Sequence, residues 1–278
     1  MTFYTFFDII PFTNLKEMIL LKEFFGFGGY TREPEGYMSW QHLTMVTIYM
    51  IIMVCLAIYF GKKYKNAEPI RKNKVLIVAA LLIDGLELFK IVLGCIKAQD
   101  PFDWLYNLPL FLCSIQLITI PLSAFSKGRV KESALDFVAI FGLLGAVLGT
   151  YLAGNNYSAY PVLSFDNVVS GITHSISGFC ALYILITGMA VMKKKNIPIT
   201  FAIIFGFGIA AYVANVLVDY NYMFLMRGDG TPYDILFNLV GGHPVIYPVS
   251  VIALFIVYIS AFYWIYYLIQ NRKVQKNT

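Results

Sequence analysis

Charge is scarce in this chain: Asp, Glu, Lys and Arg make up 13% of its 278 residues, about half the share found in soluble domains. So few charges cannot cover a water-facing surface, which excludes an ordinary soluble globular protein. Cysteine is sparse too. Cys55, Cys95, Cys113 and Cys180 form no CxxC pair, so neither a zinc site nor a loop disulfide is suggested. The sequence has no glycine-rich nucleotide-binding loop, no cluster of metal ligands and no internal repeat, leaving energy-coupled, redox and inverted-repeat transport roles without support. No cleavable leader is expected either. Asp8, Glu17 and Glu23 interrupt the first forty residues, no basic stretch precedes an apolar run, and no A-x-A site follows.

What the chain does have is long apolar runs, at 59% hydrophobic residues overall. A hydrocarbon core about 30 Å thick needs ~20 apolar residues per helix. Seven such stretches lie near His42–Phe60, Lys74–Lys97, Asn107–Phe125, Ala134–Leu152, Val168–Met192, Ile199–Tyr222 and Pro244–Ile269. None alternates with period two, which excludes a membrane barrel. The expected fold is all-α, a polytopic seven-helix bundle. Fifteen of the 21 basic residues sit in every second gap or in the tail, among them Lys62, Arg71, Lys72, Lys74, Lys131, Lys193 and Arg272. The positive-inside bias then predicts an outside N-terminus and a cytoplasmic C-terminus. The basic balance is explained by this bias, so no nucleic-acid partner is implied; the basic loops would lie against anionic lipid.

Three regions follow: an extracellular N-terminal segment over 1–40, the membrane domain over 41–270 and a basic cytoplasmic tail over 271–278. Within the first, Asn14–Phe27 mixes Lys16, Glu17, Lys22 and Glu23 with Leu15, Met18, Ile19, Leu21 and Phe25. Such a mixture predicts a helix lying in the outer interface, with Phe3, Phe6, Phe7 and Phe12 ahead of it.

Ionisable groups inside the spans are costly and normally face a cavity or a partner. Asp84, Glu87 and Lys90 recur every three residues in the second span, on one side of a helix. They form either a self-neutralising structural network or a polar wall beside a cavity. Counting residues from the span ends at 1.5 Å each brings Lys90, Cys113, His174 and Asn215, from four helices, to one level in the outer half of the bilayer. A cysteine and a histidine at one level suggest a nucleophile and its base, with Lys90 as a supporting cation and Asn215 or Gln116 as oxyanion donors. Packing roles compete: Cys113 as a small residue, and His174 bonded to a neighbouring helix within SGITHSISG.

The segment Leu108–Ser114, LPLFLCS, resembles the LPLHLCS signature of YwaF-type integral membrane proteins, with Phe111 where that signature has His. His174, NYMFL at Asn221–Leu225, TPYDIL at Thr231–Leu236 and GGHP at Gly241–Pro244 resemble the same family in order and spacing. Animal relatives, of the transmembrane protein 164 family, resemble lipid acyltransferases that work through a Cys–His pair. The resemblance implies Cys113 as the acyl-accepting nucleophile and His174 as its base. His42 and His243, at the outer ends of the first and seventh spans, are the remaining imidazoles and are expected to frame the same cavity.

An outer-half site favours a membrane phospholipid as acyl donor over a cytosolic thioester. The expectation is therefore a multi-pass protein of the cell membrane that transacylates phospholipid, needing no metal or cofactor. A non-enzymatic transporter or sensor that uses Asp84, Glu87 and Lys90 is the main alternative, and a scaffold the third.

Overall fold

The computed structural model describes residues 15–190 and 192–277, with side chains over 19–190 and 192–271. Phe3, Phe6, Phe7 and Phe12 lie outside the described residues. The ten α-helices among the described residues are α1 (Leu15–Phe25), α2 (Trp40–Tyr64), α3 (Pro69–Ala98), α4 (Gln116–Phe125), α5 (Gly128–Tyr151), α6 (Gly154–Ala159), α7 (Phe165–Thr187), α8 (Ile197–Val218), α9 (Tyr233–Leu239) and α10 (Ile246–Asn277). The described residues hold no strand. Five helical stretches are long and apolar enough to cross a membrane: Trp40–Tyr64, Gly128–Ala159, Phe165–Thr187, Lys194–Val218 and Ile246–Asn271. The protein is therefore an all-helical, multi-pass membrane protein.

Two expected spans take another form. α3 is thirty residues long but carries Asp84, Glu87 and Lys90 in its second half, and it is not among the five. The third stretch, expected as one helix over Asn107–Phe125, is helical only from Gln116. Pro109 lacks an N–H and pushes Leu108 out of helical conformation. Irregular backbone in an apolar environment needs internal partners, and a tyrosine supplies them. The Leu108 N–H donates to Tyr222 Oη at 3.1 Å, and Tyr222 Oη donates onward to the Leu105 carbonyl.

α7 is the central helix, packed against α5, α2, α3 and α4. Small residues bring the helices close. A Cβ at Gly142 would lie 2.6 Å from the Ser177 carbonyl oxygen, one at Gly178 2.3 Å from Met53 Sδ, and one at Gly171 2.4 Å from the Tyr49 ring. Such contacts replace the hydrophobic effect, which lipid does not provide between helices. The buried Asp136 of α5, a residue the sequence reading passed over, accepts from Asn196 Nδ2 at 3.0 Å and from the Met192 N–H at 3.2 Å. It anchors the α7–α8 connection, which is why a carboxylate is tolerated there. At the far end, Phe24 and Phe25 of α1 pack on Phe165, and Tyr30 Oη and Lys97 Nζ both donate to Asp166 Oδ2, at 2.7 and 2.9 Å.

Candidate active site

Cys113 precedes the first residue of α4 by three positions. The turn there opens at Phe111, whose carbonyl accepts from the Ile115 N–H at 3.1 Å. The N–H groups of Leu112, Cys113 and Ser114 make no backbone hydrogen bond among the described residues, as expected of a helix start. Cys113 therefore sits where free N–H groups and the helix dipole favour negative charge.

His174 projects from α7 toward it. Its Nδ1 lies 2.7 Å from the Ser170 carbonyl oxygen. A carbonyl only accepts, so Nδ1 carries the proton in the neutral ring and Nε2 keeps its lone pair. Nε2 is inaccessible to solvent and completes no hydrogen bond, and its interacting neighbour is the Cys113 thiol. Cys113 and His174 line one cavity of about 50 Å³, together with Glu87, Lys90, Ser114 and Ser177 among others. Both rest on α5 glycines one turn apart. A Cβ at Gly149 would fall 2.1 Å from the His174 ring, and one at Gly145 would fall 3.7 Å from the Cys113 Cα and Cβ. Gly149 is thus the floor beneath the imidazole, and a side chain fits there only if the ring moves aside. Nothing in the sequence singled out these glycines beyond the GLLGAVLG run that holds them.

Of the residues expected at one level, Lys90, Cys113 and His174 do meet in this cavity. Asn215 does not line it. Its Nδ2 donates to the Tyr222 carbonyl at 3.0 Å, and its Oδ1 accepts the Tyr222 N–H at 2.5 Å. The amide is turned to the Tyr222 backbone and away from the cavity, so its remaining N–H has no oxyanion within reach. Asn215 instead fixes Tyr222, and Tyr222 fixes the backbone leading to Cys113. Gln116 is also off the cavity wall; its Oε1 accepts from Thr119 at 3.2 Å and its Nε2 is buried without a partner.

The three α3 residues divide. Glu87 and Lys90 line the cavity as an ion pair at 2.5 Å. Asp84 is not on the wall, and its Oδ1 is buried without a hydrogen bond. Steps of 100° explain the split: positions 84 and 90 differ by about 120° around the helix.

The remaining histidines do not frame the cavity. His42 accepts the Met38 N–H at Nδ1, 3.2 Å, and its Nε2 lies 3.0 Å from the Thr150 carbonyl oxygen, with Tyr157 stacked on the ring. Both nitrogens are used structurally. His243 is exposed and its Nδ1 accepts from the N–H groups of Val245 and Ile246, at 3.3 and 3.4 Å, ahead of α10. Phe111 faces Tyr220, Tyr222 and Phe224, with ring centroids 6.2, 5.3 and 5.7 Å away, and is not on the cavity wall.

Removing the Tyr222 hydroxyl should therefore act on the fold. Tyr222→Phe strands the Leu108 N–H and is expected to cost about 1–3 kcal/mol. Thermal unfolding in detergent should register it as a lowered Tm.

Among the described residues no group of three His, Cys, Asp or Glu side chains could hold a metal ion. No curated protein and no solved structure matches the chain. The TMEM164 family model, however, matches residues 37–273, most of the sequence and all of the site just described, and the chain belongs to the TMEM164 family.

Proposed function

We propose that the protein is a membrane-embedded lipid acyltransferase using Cys113 as nucleophile and His174 as base. The observation that carries this reading is the inaccessible Nε2 of His174, which completes no hydrogen bond, in one cavity with the Cys113 thiol, its tautomer set by Ser170. A ring whose second nitrogen were already bonded, like that of His42, would have no lone pair to offer.

The chemistry follows from the roles. His174 Nε2 takes the thiol proton, and Sγ attacks the ester carbonyl carbon of a phospholipid. The tetrahedral oxyanion is held by the free N–H groups of Cys113 and Ser114. Collapse breaks the ester C–O bond; the imidazolium returns the proton to the departing lysolipid oxygen, and the acyl chain stays on Sγ as a thioester. In the second half, an acceptor hydroxyl gives its proton to Nε2 and attacks the thioester; the C–S bond breaks, a new ester forms, and the imidazolium returns the proton to Sγ. The cavity admits an ester group or a few waters but no acyl chain, which would lie outside it among the lipid-facing side chains. Glu87–Lys90 neutralise each other beside the reacting group.

This reading takes the seven-span topology with the N-terminus outside, α1 in the outer interface, and membrane phospholipids as partners. The alternation of basic loops and the short irregular entry to α4 support it. The likeness of LPLFLCS to the YwaF-type signature supports it too, and Phe111 weakens it little because position 111 belongs to an aromatic cluster away from the cavity. A transport path through Asp84, Glu87 and Lys90 has less support, since Glu87 and Lys90 close on each other and Asp84 is off the wall.

The two readings rank variants oppositely. In proteoliposomes carrying labelled phospholipid and unlabelled lysolipid, chain transfer should be lost in Cys113→Ser and largely kept in Asp84→Asn. Transfer that survives Cys113→Ser and disappears in Asp84→Asn would overturn the acyl-enzyme.

A further inference from the structure

A second, larger cavity of about 500 Å³ opens between the start of α3, the start of α5 and the end of α7. Its α3 lysines, Lys72 and Lys74, lie roughly 25 Å along the helix from Lys90 of the Cys113 cavity, at 1.5 Å per residue. Lys72, Lys74 and Lys131 line it, and no carboxylate does. Lys72 Nζ donates to the Thr187 carbonyl at 2.9 Å and Lys131 Nζ to Asn73 Oδ1 at 2.5 Å, both neutral acceptors. Lys74 has no ion pair or hydrogen bond among the described residues.

The acids next to these lysines in sequence are engaged or off the wall. Glu132, next to Lys131, pairs with Lys193 at 2.5 Å and Lys195 at 3.7 Å. Glu68, ahead of α3, is exposed and off the wall. Three lysines thus line one concavity whose wall carries no carboxylate, a setting that favours an anion. The positive end of the α3 dipole adds to the same field.

The rest of the wall is apolar. Ile77, Leu135 and Met189 line it, and Ile70 at its rim is 71% exposed. A free inorganic anion gains nothing from such a surface, whereas a lipid whose phosphate meets the lysines lays its chains along it. The volume falls within the range of about 300–1,000 Å³ usual for small-molecule sites. We propose that this cavity is a binding site for the headgroup phosphate of an anionic phospholipid, separate from the Cys113 site and independent of acyl transfer.

The test uses the full chain in detergent micelles with a fluorescent short-chain phosphatidylglycerol, read by anisotropy. Unlabelled phosphatidylglycerol should displace the probe, and phosphatidylcholine should do so at least tenfold less well. Lys74→Gln should weaken binding about fivefold and Lys74→Gln with Lys131→Gln about thirtyfold, from roughly 1 kcal/mol per lysine at such a surface. Lys74, exposed and without a partner, can be replaced without loss of a native contact, so the single variant reads binding alone. Unchanged affinity in both variants, or displacement by phosphatidylcholine as effective as by phosphatidylglycerol, would overturn the site. Inorganic phosphate competing as well as the lipid would overturn its assignment to a lipid.

Discussion

Cys113→Ala is expected to lower chain transfer from phospholipid by about 10³-fold or more, the range seen when a covalent nucleophile is removed and only binding and oxyanion donors remain. The alanine fits. Cys113 is half-buried and its Cα and Cβ meet Gly145 at ordinary contact distance, so the variant should fold with an unchanged Tm. The loss would then be chemical. Cys180→Ala is the informative contrast: Cys180 is buried in the α7 core with no polar partner, and its replacement should cost packing stability while leaving transfer per folded molecule intact. Comparable loss in both variants would point to packing and away from catalysis.

The second large effect is expected at a residue with no side chain. At Gly149 a Cβ would stand 2.1 Å from the His174 ring, well inside any real contact. The imidazole of Gly149→Ala must swing off the α5 surface and give up its bond to the Ser170 carbonyl. That releases the tautomer constraint and moves Nε2 away from the thiol. Transfer should fall about as far as in His174→Ala, although position 149 carries no chemistry. Gly145→Ala is the control on the same helix, one turn earlier. Its Cβ would meet Cys113 at 3.7 Å, so activity should persist, and replacing a helical glycine should stabilise by up to about 1 kcal/mol. Equal activity in the two glycine variants would contradict the floor role of Gly149.

Much of this arrangement is legible in the sequence because hydropathy and depth are one-dimensional. Counting along the spans brings Lys90, Cys113 and His174 to one level, and they meet in one cavity. The same count misplaces Asn215, because depth says nothing about direction: its amide turns to the Tyr222 backbone. Asp84 escapes for a related reason, since a three-residue spacing drifts around the helix and leaves it beyond the wall that Glu87 and Lys90 share. The break before α4 is hidden because LPLFLC is as apolar as a helix would be. Only Pro109 hints at it, and the partner that makes it tolerable, Tyr222, lies 114 residues from Leu108. The glycine floor was out of reach for the opposite reason. A glycine matters by what touches it, and Gly145 and Gly149 gain meaning only once Cys113 and His174 are seen against them.

The acyl-enzyme is the claim on which the functional account rests, and it can be observed directly. Protein reconstituted with a phospholipid bearing an isotopically labelled chain, quenched in acid and digested, should yield the Cys113 peptide heavier by one acyl group. That adduct should be sensitive to hydroxylamine, as a thioester is, and absent from Cys113→Ala. Label that remains in Cys113→Ala, or that never reaches Cys113 in the native protein during turnover, would contradict the account.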